Sequence, residues 1–503
     1  MQTRTGKLIV NSFFSLLAWA APAALGILVT PIILRYLGAE SYGVYLVILG
    51  FMSYAITPSV GRAVAKFVAE YRTSGDVEKI NSAITVGFLI HLVGGVLTAF
   101  FTAILSRWIV VDVLQISAVY QESARAALIL CGLSVPIVLL GQVFQNVLLG
   151  EHRFGKLSLI SNLNWLLLNL GNVILASQGF GIDSLLLWTL AVSFVIAVIT
   201  YVTARYQSPD LGLRFGLTRL MARPVALYSS SIFIYQLFGS LLILFERAWL
   251  MRNFGGAVAS FYLITMALVL YFHSFMTTLL AATFPVMNEL LADPQRLLSL
   301  YRKAKKITLA FTVLFVVTAL LGGQTFLSGW IDPEFAANAF PLLVIHAFTF
   351  GLMVLALPAW QLNEVYRAAG LNSFMVVVWA AISISLMFFA GERWGEEGVA
   401  AARLAGVVFT LPMIIYSEHR FLGKILWRDR LELFSKASIA AIVLGAIEYA
   451  IFSFLGGGWV SLFLGTIAGV IGYAAVLLLT KFITEDEKAL IIGLVSRLRT
   501  QRQ

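Results

Sequence analysis

Long apolar runs separated by short polar gaps fill the chain from about residue 10 to residue 480. Each run is long enough for a helix that crosses a bilayer, which needs about 20 apolar residues. None shows the strict alternation over about ten residues that marks a barrel strand. About fourteen spans are predicted, near 10–34, 43–69, 83–106, 126–149, 157–177, 183–204, 227–251, 258–284, 307–328, 338–360, 373–390, 397–416, 437–455 and 459–480. The expected fold class is an all-α polytopic membrane protein. Lys and Arg crowd every second gap. With the N-terminus placed in the cytoplasm, 26 fall in inside gaps and 5 in outside gaps (Arg35, Arg107, Arg125, Arg252 and Arg393), and 4 lie within spans (Arg62, Lys66, Arg247 and Arg403). The positive-inside rule produces such an asymmetry, so an even number of spans with both termini cytoplasmic is predicted.

Composition agrees. Of 503 residues, 60% are hydrophobic and only 12% charged, about half the charged share of a soluble domain. Lipid must therefore be the main solvent. The net charge of +10 sits in short loops, where it sets topology and meets anionic headgroups, so nucleic acid is not an expected partner. The single cysteine, Cys131, excludes an intramolecular disulfide. Ala18-Trp19-Ala20 looks like a signal-peptidase site, but the apolar stretch continues to Leu34 and is read as a retained first span. No gap is long enough for a soluble domain. The tail Thr484–Gln503 reads as a short surface helix capped by Thr484.

A faint internal repeat accompanies the spans. Arg35-Tyr36-Leu37-Gly38 and Arg252-Asn253-Phe254-Gly255 each close one span and open the next, and Tyr45-Leu46 matches Tyr262-Leu263 at the same offset. Gly150 and Phe154 answer Gly370 and Phe374. These pairs lay spans 1–6 over spans 7–12. They suggest an N-terminal lobe at 1–212, a second lobe at 213–425, and spans 13 and 14 with the tail at 426–503. Parallel repeats of this kind place a substrate path between two lobes that rock against each other.

Charged groups inside a membrane cost roughly 2.5–3.5 kcal/mol or more, so they usually face a cavity. Arg62, Lys66 and Glu70 are spaced four apart and share one face of the second span. Arg62 lies about 12 Å deeper than Glu70. Pro58, Ser59 and Gly61 should kink the helix there. Two cations at that depth suit an anionic substrate; alternatively, Lys66 snorkels and Arg62 pairs with an acid or carbonyl. Glu246 and Arg247 stand near the outer end of span 7. Adjacent residues need not pair, and either could face the path or the outer water. Arg403, inside span 12, would attract anions or snorkel outward. Glu448 is the acid deep in span 13, a candidate for a coupling proton or for a bland hydrogen bond. His91, His273 and His346 read mainly as packing residues, with His273 kept as a gating candidate beside Glu70, Glu246 and Glu448. No metal-ligand spacing, Walker loop or dinucleotide fingerprint occurs. No cofactor is expected, and a proton or sodium gradient is the candidate energy source.

Several stretches resemble the polysaccharide-exporting, Wzx-type flippases of the MOP superfamily. They are Pro31-Ile32-Ile33-Leu34-Arg35-Tyr36-Leu37-Gly38 with Tyr42-Gly43, the run Gly61 to Arg72 followed by Gly75-Asp76, Gly150-Glu151-His152-Arg153-Phe154, Glu246-Arg247, and Asp332-Pro333-Glu334-Phe335. The resemblance implies two six-helix lobes around a central cavity, with helices 13 and 14 attached. It implies translocation of an undecaprenyl-pyrophosphate-linked oligosaccharide across a bacterial inner membrane for O-antigen or exopolysaccharide export. Arg62 matches a cationic position of that family's second helix; Lys66, Arg247 and Arg403 are the further candidate substrate contacts. Membrane lipids and the polysaccharide polymerase or export machinery are the candidate partners. Thr57-Pro58-Ser59-Val60-Gly61 lacks the acid that relatives often carry before the glycine, so no coupling role transfers there. A cation-coupled small-molecule exporter of the same superfamily is the alternative. A lipid-linked sugar polymerase or ligase is a third reading, disfavoured by the short outer loops; no enzyme activity is expected.

Overall fold

The computed structural model describes residues 4–53, 60–72, 74–423 and 427–484. These form the helices α1 (Arg4–Leu37), α2 (Ala39–Ser53), α3 (Val60–Arg72), α4 (Val77–Trp108), α5 (Gln121–Gly150), α6 (Phe154–Ser177), α7 (Ile182–Gln207), α8 (Thr218–Leu280), α9 (Thr283–Glu289), α10 (Pro294–Trp330), α11 (Pro333–Val365), α12 (Ala369–Val408), α13 (Leu411–Leu422), α14 (Trp427–Leu455) and α15 (Trp459–Leu479). No strand occurs among the described residues. Lipid offers no hydrogen bonds to exposed backbone, so helices, which satisfy their own, are the form such apolar runs can take.

Among the described residues, ten stretches are long and apolar enough to cross a membrane. Two of them, Gln236–Glu289 and Ala369–Leu422, run 54 residues each, about 81 Å of helix against a hydrocarbon core of about 30 Å. Each must hold two crossings. The first breaks at Gly255 and the second at Trp394 and Gly395, where the backbone leaves helical geometry. Dividing them there and adding the shorter apolar helices Pro22–Leu37 and Ala39–Phe51 gives about fourteen segments among the described residues, the number the hydropathy pattern predicts. The expected kink at Pro58 and Ser59 and the expected tail helix beyond Thr484 lie outside the described residues.

The chain divides into two compact units. Unit 1 is Met1–Ile264 with Asn372–Gly406, and unit 2 is Thr265–Leu371 with Val407–Gln503. In unit 1, one apolar core gathers Val60, Val64, Phe67 and Val68 of α3 with Ile80 and Ile84 of α4, Val143 and Val147 of α5, and Met221 and Val225 of α8. A second joins Phe144 and Leu148 of α5 to Ile160 of α6 and Val192 and Ile196 of α7. In unit 2, Leu309 of α10, Leu444 of α14 and Tyr473 and Leu477 of α15 form one core. Met287, Leu297, Tyr301 and Leu362 form another.

The turns follow the chemistry of their residues. Asp76 accepts a hydrogen bond from the Lys79 amide and caps α4. Hydrogen bonds from the Lys79 side chain and backbone hold its carboxyl below the ordinary range. Asp332 caps α11 through the Phe335 amide at 2.7 Å, with Pro333 in the first turn. The sequence repeat has a backbone counterpart. Gly38 and Gly255 both take left-handed φ, 77° and 81°, and so do His152 and Arg367, at 58° and 57°, in the turns after α5 and α11.

Candidate functional site

Unit 1 carries the charged residues singled out in the sequence, apart from Glu448. α3 is amphipathic: Val60, Gly61, Ala63, Val64, Phe67 and Val68 are buried, while Arg62, Lys66 and Glu70 are exposed along one stripe. Its rotation is fixed by close packing on α5. A Cβ at Gly150 would come within 2.8 Å of the Ala65 carbonyl and 2.7 Å of Val68, so a glycine there lets the two backbones approach. With that face locked, the cations can only point the other way. Lys66 lies 3.7 Å from Glu70 and 4.8 Å from the centre of the Tyr228 ring, within cation–π range. The stripe thus presents Arg62 near the start of α3, Lys66 held between an acid and an aromatic face, and Glu70 nearest the end of α3.

The remaining unit 1 candidates are arranged differently from the simplest reading. Glu246 and Arg403 do not reach outer water. They are 0% and 2% exposed and form an ion pair with each other, joining α8 to α12. The Tyr262 hydroxyl donates to the second carboxylate oxygen of Glu246, and the Arg403 guanidinium lies 5.1 Å from the Trp379 ring centre. Snorkelling of Arg403 is excluded because its neighbours, from three separate stretches of chain, enclose it. Arg247, one residue along, points elsewhere. It donates to the Leu46 carbonyl of α2 and fills the space beside Gly50, where a Cβ would meet its side chain at 2.7 Å.

One acid with a defined task escaped the sequence reading. Glu40, in the first turn of α2, accepts from the amides of Gly256 and Ala257 at 3.0 and 2.8 Å. It thereby caps the segment of α8 that restarts after Gly255, satisfying amides that a helix start leaves without partners. The signal was present in the repeat, since Gly38 and Gly255 mark matching turns and Glu40 stands two residues past the first. Replacing Glu40 with Ala is expected to destabilise the protein by about 1 kcal/mol, the usual cost of a lost cap. Faster amide hydrogen exchange at residues 256–259 would report it. Unchanged exchange there would show that the cap is dispensable.

Unit 2 holds the other candidates. Glu448 is fully buried. One of its oxygens accepts from Thr318 at 2.9 Å, and the other has no hydrogen-bond partner among the described residues. His273 packs edge-on against Phe350, 5.9 Å between centres. His91, in unit 1, bonds the Leu139 carbonyl through Nδ1 at 2.9 Å, the packing role expected of it. A further acid missed in the sequence, Glu418, is buried between Lys305 at 2.9 Å, Arg430 at 2.8 Å and the Tyr301 hydroxyl. It neutralises part of a cationic run that by sequence alone reads only as topology. No group of three or more His, Cys, Asp and Glu side chains among the described residues is placed to hold a metal ion.

Comparison with known proteins sets these features in context. No family model matches the chain. A Shigella flexneri protein named "Putative O-antigen transporter" is 21% identical over 407 residues, 78% of this chain and 93% of its own length. Among solved structures, the lipid II flippase MurJ in an inward closed conformation superposes with a TM-score of 0.72 at 13% identity, covering 96% of this chain and 100% of that one. An inward-facing multidrug-resistance MATE transporter of the MOP superfamily gives 0.65 at 14% identity, covering 80% and 94%. The chain is therefore a multi-pass membrane protein with the MOP-superfamily fold, and the resemblance to that superfamily's polysaccharide flippases seen in its sequence is borne out.

Proposed function

We propose that the protein is a flippase that moves undecaprenyl-pyrophosphate-linked oligosaccharide repeat units from the inner to the outer leaflet of a bacterial inner membrane, with both termini cytoplasmic. The observation that carries this reading is the exposed cationic stripe of α3. An exposed guanidinium ten residues before the end of α3 would be costly against acyl chains and favourable against water or phosphate. A sugar headgroup cannot cross hydrocarbon unaided, because its hydroxyls and phosphates would lose their hydrogen bonds. A polar path past Arg62 and Lys66 supplies replacements, while the prenyl chain stays in lipid. The names of the Shigella relative, an O-antigen transporter, and of MurJ, a lipid II flippase, point the same way.

On this reading, the lobes 1–212 and 213–425 alternate access. Arg403 is committed to Glu246 in the conformation described, so its contact with substrate, like that of Arg247, requires those bonds to open. Glu70, Glu246, Glu448 and His273 are the groups through which a proton or sodium gradient would act. Polymerase or export machinery would receive the product. Arg62→Ala should weaken binding of the pyrophosphate about 10–100-fold, the worth of a charged hydrogen bond. In a deletion strain, it should fail to restore surface polysaccharide at normal expression. Wild-type export by that variant would overturn the assignment. The likeness to MATE transporters favours one second reading, a cation-coupled small-molecule exporter. It predicts drug hypersensitivity in the deletion strain with surface polysaccharide intact.

A further inference from the structure

A cavity of about 410 Å³ opens among α5, α6 and α7, entirely within unit 1. Its size falls in the range of small-molecule sites, roughly 300–1,000 Å³. Six of its described lining residues are polar: Gln142, Gln145, Ser161, Asn164, Thr189 and Ser193; the others are aliphatic or glycine, and none is charged. They recur at helical spacing, so each of the three helices turns one polar stripe inward. Gln145 lies five residues before the end of α5 and Asn164 ten residues into α6. This places them about 8 and 15 Å from the turn that joins those helices.

Polar side chains at that depth normally bond to a neighbouring helix, because the alternative in hydrocarbon is an unmet hydrogen bond. Thr189 is satisfied within its own helix, where it donates to the Leu185 carbonyl at 2.9 Å. The side chains of Gln142, Gln145, Ser161, Asn164 and Ser193 bond to no protein group among the described residues. Their hydrogen-bonding capacity is directed at whatever fills the cavity. Amides and hydroxyls each donate and accept, which matches sugar hydroxyl and acetamido groups. With no cation among them, they offer nothing for a phosphate.

We infer that this cavity is a subsite for uncharged sugar rings, separate from the cationic stripe on α3. The inference rests on the flippase reading and divides its labour: α3 holds the pyrophosphate, and α5 to α7 hold the glycan. α5 links the two, since Val143 and Val147 pack in the α3 core while Gln142 and Gln145 face the cavity.

The test uses the full-length protein in nanodiscs and two probes, undecaprenyl pyrophosphate and the same lipid bearing a neutral N-acetylhexosamine disaccharide. Wild type should bind the glycolipid more tightly. The double variant Gln145→Leu/Asn164→Leu should lose about tenfold for the glycolipid, the worth of one or two neutral hydrogen bonds, and bind the bare lipid as wild type does. Ser161→Phe, which fills the cavity from an exposed position, should give the same pattern and serves if the double variant does not fold. Arg62→Ala should weaken both probes alike. Cavity variants that bind both probes as wild type does, or that lose both equally, overturn the sugar subsite and leave the flippase reading standing. A wild type that binds neither probe overturns both.

Discussion

Gly43→Ala should destabilise the protein by about 2–3 kcal/mol, while Gly94→Ala should leave it unchanged or slightly more stable. Both glycines lie inside helices, α2 and α4, where alanine is intrinsically favoured by up to about 1 kcal/mol. They differ in what a methyl group would meet. At Gly94 nothing lies within 4 Å, whereas at Gly43 a Cβ would sit 1.7 Å from the Gly256 carbonyl oxygen. That neighbour is backbone, so no rotamer change can relieve the overlap. The facing side is also tight, since a Cβ at Gly256 would lie 2.3 Å from the Glu40 carbonyl oxygen. α2 and the restarted α8 therefore touch backbone to backbone, just where Glu40 caps α8. The thermal unfolding midpoint in detergent should fall for Gly43→Ala and hold or rise for Gly94→Ala. Equal midpoints would mean that the two helices separate without cost.

The second large effect is expected at the buried ion pair. Glu246→Leu strands the Arg403 charge in the interior and removes the acceptor of the Tyr262 hydroxyl. Breaking one partner of such a pair costs about 3–5 kcal/mol. Arg403→Met should cost a similar amount by stranding the carboxylate. Glu246→Leu/Arg403→Met should recover most of the loss, because two apolar side chains of like volume replace a pair whose attraction only offsets its desolvation. The midpoints of the two single variants and the double variant form a thermodynamic cycle. A double variant as unstable as the sum of the singles would show that the two residues act independently and that the pair does not join α8 to α12. Transport by the rescued double variant would then report whether these charges serve only stability.

Much of the fold was legible in the chain, for a definite reason. A membrane helix must be apolar over its whole length and satisfy its own backbone, so each span announces itself without reference to any partner. Even the two 54-residue helical stretches were divided correctly from sequence, because Arg252 to Gly255 and Glu392 to Gly395 interrupt the apolar runs. The α3 stripe was legible on the same grounds. A spacing of four fixes a common face, and the bond between Lys66 and Glu70 follows from it.

The partners of buried charges were not legible. Glu246 and Arg403 are 157 residues apart, and no local pattern links them. Glu40 drew no notice in a short gap between spans, and Glu418 was lost in a run of cations. The cavity of α5 to α7 left no single strong motif, only Gln, Asn and Ser scattered through three apolar runs.

By itself, then, the sequence determined the solvent, the approximate number and placement of the spans, and the charged face of α3, because hydropathy and helical period are local properties. Only the tertiary structure decided which distant side chain neutralises each buried charge, where two backbones meet, and which polar stripes converge on one cavity. Those are matters of helix rotation and neighbour choice, and they are set by packing between segments far apart in the chain.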